Sequence, residues 1–88
     1  MDVTFVSRNI IDLRIDTQNG KAFGKVLISY HRCDTPSLLE HEQIHVTHSI
    51  SATDRKWRIR RNTIKAAEKK LLRLETAFPR IIENIFKV

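Results

Sequence analysis

The chain changes character at Asp34, and that change limits the folds open to it. Before Asp34, β-branched and apolar residues come in short runs: Val3 to Val6, then Ile11, Leu13 and Ile15 alternating with charged residues, then Lys25 to His31. Runs of this kind predict strands. Gln18-Asn19-Gly20 is the one strong turn signal, because Asn-Gly tolerates the positive φ angles of a tight hairpin turn. The first third therefore reads as a three-stranded antiparallel sheet.

Beyond Asp34 there is no glycine, and after Pro36 the only proline is Pro79. Asp34 or Thr35 can cap a helix opening at Pro36, where the missing backbone donor costs nothing, which predicts a helix from about Pro36 to about Ile50. Ser51-Ala52-Thr53-Asp54 is poor helix interior and marks a bend. A longer helix is expected from about Thr53 to Ala77. Pro79 disfavours helical geometry at Phe78 and can start a short final helix over Arg80 to Lys87. The expected fold is α+β in one domain, residues 1–88: a sheet over 1–33, then an active-site helix, a long helix and a short C-terminal helix over 34–88.

Eighty-eight residues leave room for one hydrophobic core. A net charge of +6 favours an anionic surface or partner. Cys33 is the single cysteine, which excludes an intrachain disulfide and a four-cysteine zinc site and points to a reducing, cytoplasmic compartment. Cys33 itself reads as a small buried residue at a strand end. No export signal stands at the N-terminus, where Asp2, Arg8, Asp12 and Arg14 interrupt the apolar residues. Charges break every later run short of the roughly 20 apolar residues a membrane span needs, so no membrane partner is expected.

The chemistry concentrates in Leu38-Leu39-Glu40-His41-Glu42-Gln43-Ile44-His45-Val46. On a helix, residues four apart lie about 40° apart around the axis, so His41 and His45 would face one way from successive turns and could share a zinc ion. Glu42, one position on, could then reach a zinc-bound water and take its proton as it attacks a carbonyl. This stretch resembles the extended signature of zincin metallopeptidases. It looks most like bacterial zinc-dependent proteases whose active-site helix reads Leu-x-His-Glu-Gln-x-His. The resemblance covers about Val26 to Val46 and implies His41 and His45 as ligands of Zn2+, Glu42 as general base, and a peptide or protein substrate. Thr47 departs from the pattern, and His48 and Ser51 stand where the metzincin branch has its glycine and third histidine.

A third ligand must then come from elsewhere. The gluzincin branch takes a glutamate from a downstream helix, and on a helical wheel centred on Ile64 both Glu68 and Glu75 fall on the apolar stripe defined by Trp57, Leu71 and Phe78. Glu68 is the preferred candidate, with Glu75 and His48 in reserve. Tyr30 and His31, ending the preceding strand, could polarise a bound carbonyl. Arg58, Arg60, Arg61 and Lys65 offer Glu68 ion pairs instead.

Arg55-Lys56-Trp57-Arg58-Ile59-Arg60-Arg61 supports a second class of function. Five basic residues around a tryptophan let one helix end meet several phosphates, or an acidic protein partner, while the indole stacks or anchors in the core. The expectation carried forward is a zinc-dependent peptide hydrolase. Its alternatives are a non-catalytic basic module binding nucleic acid or another macromolecule, and a zincin-like fold without turnover.

Overall fold

The computed structural model describes residues 3–77, with side chains described within 3–74. Three strands form a simple antiparallel meander, β1 (Val3–Asp16), β2 (Lys21–Arg32) and β3 (Thr35–Ser49), in the order β1-β2-β3. Among the described residues one helix, α1 (Lys56–Ala77), follows and packs on one face of the sheet. The architecture is α+β with a three-stranded antiparallel sheet. The strands are not the three expected, however: the first two predicted runs join into one long β1, and the third strand is the segment predicted as the active-site helix.

The first hairpin forms where the sequence placed it. Gly20 has φ of 63°, the left-handed conformation that costs glycine nothing. Asp16 locks the turn by accepting hydrogen bonds from the Asn19 backbone N–H at 3.2 Å and its side-chain amide at 2.7 Å. Those bonds hold the Asp16 carboxyl below its ordinary value of 3.8. A lowered folded value means that this stabilisation is fully present above the ordinary carboxylate range and is lost as the pH falls through the folded value.

Cys33 and Asp34 make the second hairpin, between Arg32 and Thr35, and it contains no glycine. The Arg32 guanidinium, 3.2 Å from the Asp34 carboxylate, braces it. Here the capping sequence Asp34-Thr35-Pro36 turns a corner and enters an edge strand. Pro36 is tolerated near the start of an edge strand, where a missing donor breaks no obligatory ladder bond. Cys33 is exposed at the turn, contrary to its expected burial.

Pairing decides what each face of the sheet shows. Ala22, Gly24, Val26, Ile28 and Tyr30 alternate along β2 and are buried beneath the helix. Ile44 and Val46 join them from β3. From β1 come Phe5 and Ile10, brought into line by two bulges, between Phe5 and Ser7 and between Ile10 and Asp12. Each bulge adds one residue and shifts the alternation. Val6 and Ile11 are therefore left about half exposed, at 52% and 49%. The register, not the hydropathy of Ile11, sends it outward.

Helix α1 closes this core with Ile59, Thr63, Ala67 and Leu71, spaced four apart. Ser51 to Arg55 form the expected bend, and the Arg55 carbonyl accepts the first helical N–H bonds from Arg58 and Ile59. Trp57 is not part of the buried stripe: it is 59% exposed, with the Arg61 guanidinium 5.2 Å from its ring centroid. The stripe runs through Ile59 and Thr63, and Ile64 is only half-buried. The short helix expected over Arg80 to Lys87, like Phe78, lies outside the described residues.

The closest approach of helix to sheet is at Gly24, where an added Cβ would run into the Thr63 methyl. Thr63 is wholly buried, and its hydroxyl donates to the Ile59 carbonyl at 2.8 Å and meets His48 Nε2 at 2.8 Å. Gly24→Ala should therefore destabilise the fold by about 1–3 kcal/mol, the usual cost of overpacking. Adding Thr63→Ser, which removes the methyl and keeps the hydroxyl, should recover much of that loss in a denaturant titration. Equal stability of Gly24→Ala and wild type would show that the helix does not seat there.

Candidate functional site

Placing the His41-to-His45 segment on a strand changes its geometry. Side chains of alternate residues share a face, so His41 and His45 both point to the sheet face away from α1, but four residues of strand separate them by about 13 Å. Two imidazoles that far apart do not share one ion. Glu42 falls on the opposite face, exposed and paired with Ile28. The helix that the shared site required is replaced by β3, whose pairing with β2 turns Ile44 and Val46 into the core. The helical spacing from which the zincin-type centre was expected is therefore not the spacing of this segment.

The remaining residues of that centre are dispersed. Glu68 lies on α1, across the sheet from both histidines, with its carboxylate 3.3 Å from the Arg8 guanidinium. Arg8 extends from β1 on the helix-covered side and lies 4.9 Å from the Phe5 ring centroid. Glu75 is on α1, but its side chain lies outside those described. His48 belongs to the helix-facing side and is engaged by Thr63. His41 meets the Ser29 hydroxyl at 2.7 Å, and His31 faces the Leu38 carbonyl at 3.0 Å. Tyr30 is fully buried under the helix, so it does not line an open face. Among the described residues, no group of three or more His, Cys, Asp or Glu stands close enough to hold a metal ion.

The basic segment, in contrast, is exposed throughout, and Arg58 and Arg61 within it fall on the side of α1 away from the sheet. Arg55, Lys56, Arg58, Arg60 and Arg61 are all exposed. From Arg58 the exposed cations continue as Arg61, Lys65, Lys69 and Arg73, three or four residues apart. That spacing aligns them in one outward ridge about 22 Å long. From Arg55 to Leu74 the only acidic residue is Glu68, already paired with Arg8. Asp54, just before the helix, approaches Arg58 at 3.9 Å.

Two hollows flank the β3 edge. One, of about 350 Å³, lies between β3 and α1, with His45, Lys70 and Arg73 among its lining residues. The Lys70 ammonium donates to the His45 carbonyl across it at 2.6 Å. The other, of about 230 Å³, lies on the open sheet face and is lined by Asp12, Arg14, Phe23, Lys25 and His45, with Gly24 beneath. There the Arg14 guanidinium stacks 4.6 Å from the Phe23 ring centroid. Of these open-face residues only His45 stood out in the sequence, and there as a zinc ligand. The signal that marks Phe23 and Lys25 is their place at alternate positions of β2, and it acquires meaning only once the helix is known to cover the other half.

No protein-family model matches this chain, and neither a curated protein nor a solved structure does. Among the described residues, no helix is long and apolar enough to cross a membrane.

Two outcomes follow from these placements. Zinc at micromolar concentration should leave the thermal unfolding midpoint unmoved, with wild type and His41→Ala/His45→Ala responding alike; a zinc-dependent rise requiring both histidines would show that the chain brings them together in another arrangement. Glu68→Gln should cost no more than about 1 kcal/mol, and the difference from wild type should shrink in high salt, as for a solvent-accessible ion pair.

Proposed function

We propose that this chain is a non-catalytic nucleic-acid-binding module, with the exposed basic ridge of α1 as its main contact. The observation that carries the proposal is the position of the cations relative to the helix dipole. The N-terminal end of a helix is its positive pole, and cations there cost stability rather than adding it. Helix α1 nevertheless has no acid in its first turn, and Arg55, Lys56, Arg58, Arg60 and Arg61 crowd that end. The Asp54 carboxylate, 3.9 Å from Arg58, and the Trp57 ring beside Arg61 offset only part of this repulsion. An anion bound along the ridge turns the same repulsion into attraction.

The regular spacing favours a polymeric anion over an acidic protein patch. Steps of four residues raise each successive cation about 6 Å along the axis, which suits a backbone carrying charge at every unit. Exposed Trp57, held beside Arg61, adds an aromatic surface at the end of the ridge where the charge is densest. A zinc-dependent peptide hydrolase would need ligands from both faces of the sheet, and a zincin-like fold without turnover would still need the metal helix.

Binding of a labelled oligonucleotide, followed by fluorescence anisotropy across a salt series, tests the proposal. The logarithm of affinity should fall linearly with the logarithm of salt, by about 0.7–0.9 for each phosphate neutralised. Replacing Arg61, Lys65 and Lys69 together by glutamine should lower that slope by about 2–3 and weaken binding at low salt at least about tenfold. Glu42→Gln should bind as wild type does. Absence of binding at low salt, or a slope indifferent to the triple replacement, would overturn the proposal.

A further inference from the structure

The helix ridge and the open sheet face are on opposite sides of the molecule, yet cationic groups connect them around the β3 edge. Arg73 ends the ridge on the side nearest β3. Arg73 and Lys70 line the hollow between α1 and β3, and Lys70 reaches across to the His45 carbonyl. His45 also lines the second hollow, so one residue belongs to both sides of the edge. From His45 the track passes to Lys25, its cross-strand partner, and then to Arg14 beside Phe23.

Resting on the nucleic-acid reading above, we infer that the ligand is single-stranded and follows this track from the ridge, over the β3 edge, to the Arg14–Phe23 stack. The path bends round a body only one sheet and one helix thick, and the helix itself is about 10 Å across. A duplex, with a persistence length of about 50 nm, does not follow such a bend, whereas a single strand rotates freely about its backbone bonds.

The second hollow has the chemistry of a base site rather than a phosphate site. The Arg14–Phe23 pair presents a planar cation and an aromatic ring together, a surface on which any base can stack. Asp12 on the same lining repels a phosphate and accepts a hydrogen bond from an exocyclic base amine. Lys25 and His45 stand between that base and the edge, where the backbone charge passes. The 230 Å³ hollow has room for one base.

The test compares a single-stranded DNA oligonucleotide of about 15 nucleotides with the duplex of the same sequence, each bound to wild type, to Phe23→Ala, to Arg14→Gln/Lys25→Gln and to the Arg61/Lys65/Lys69 glutamine variant. Wild type should prefer the single strand by at least about tenfold. Phe23→Ala and Arg14→Gln/Lys25→Gln should each weaken single-strand binding by about tenfold and leave duplex binding unchanged, while the ridge variant weakens both. Circular dichroism of each variant identifies any that is unfolded; Arg14→Gln/Lys25→Gln, which removes only polar side chains from the open face, decides the matter if Phe23→Ala does not fold. Ridge-dependent binding without preference for the single strand, or unaffected by the sheet-face variants, overturns the track and leaves the ridge proposal standing. Loss of binding to both nucleic acids in wild type overturns both.

Discussion

Everything in this domain depends on the seating of α1 against β2 at Gly24. The absent side chain of Gly24 lets the helix come close enough for Thr63 to be wholly enclosed. Enclosure obliges the Thr63 hydroxyl to find partners, and it has two, the Ile59 carbonyl within the helix and His48 on β3. One contact thus ties the helix to two strands. Ala67 and Leu71, a turn and two turns further on, then fall over Val26, Ile28 and Tyr30 and complete the core. A polar anchor inside an apolar contact fixes the position of the helix along the sheet, because sliding it would break the His48 bond while the Ile59 bond moved with the helix.

The same docking makes the two faces of the sheet unequal. A three-stranded meander has two equivalent faces until something covers one of them. Once α1 covers the Ala22–Tyr30 face, the alternate residues Phe23 and Lys25 become surface, with Asp12, Arg14 and His45 beside them. The helix, having given Ile59, Thr63, Ala67 and Leu71 to the core, is free to carry cations on its remaining circumference. Both strand edges are guarded against pairing with another chain: β1 by two bulges, and β3 by Lys70 bonded to the His45 carbonyl. On the proposed reading, the guard on β3 is also a link in the basic track.

The His-Glu-x-x-His pattern shows how a motif depends on the element beneath it. The residue types are those of a metal site, and on a helix their spacing converges. On β3 the identical spacing spreads His41 and His45 about 13 Å apart and turns Glu42 to the other side. Short polar-apolar segments carry both periods at once, and Leu38 to Val46 is such a segment. Ile44 and Val46, two apart, favoured the strand; Asp34-Thr35-Pro36 favoured the helix. Tertiary burial decided between them, since a strand paired along β2 places both β-branched residues in the core and satisfies its backbone on one side.

What this sequence determined by itself were its local signals of high specificity. Asn19-Gly20 set the first hairpin, because few residues other than glycine enter the left-handed region without cost. Ser51 to Asp54 set the bend, and the cation-rich, glycine-free run beyond it set α1 with its charge. The α+β class and the antiparallel pairing of β1 with β2 were legible for the same reason. Tertiary structure alone decided the identity of β3, the glycine-free turn at Cys33-Asp34, the bulges that expose Val6 and Ile11, and the exposure of Trp57. It also decided that Glu68 pairs with Arg8 and that His45 lies between two hollows. Each of these depends on register or on which face is covered, and those are set by contacts between residues distant in the chain, where a shift of one position reverses every side chain.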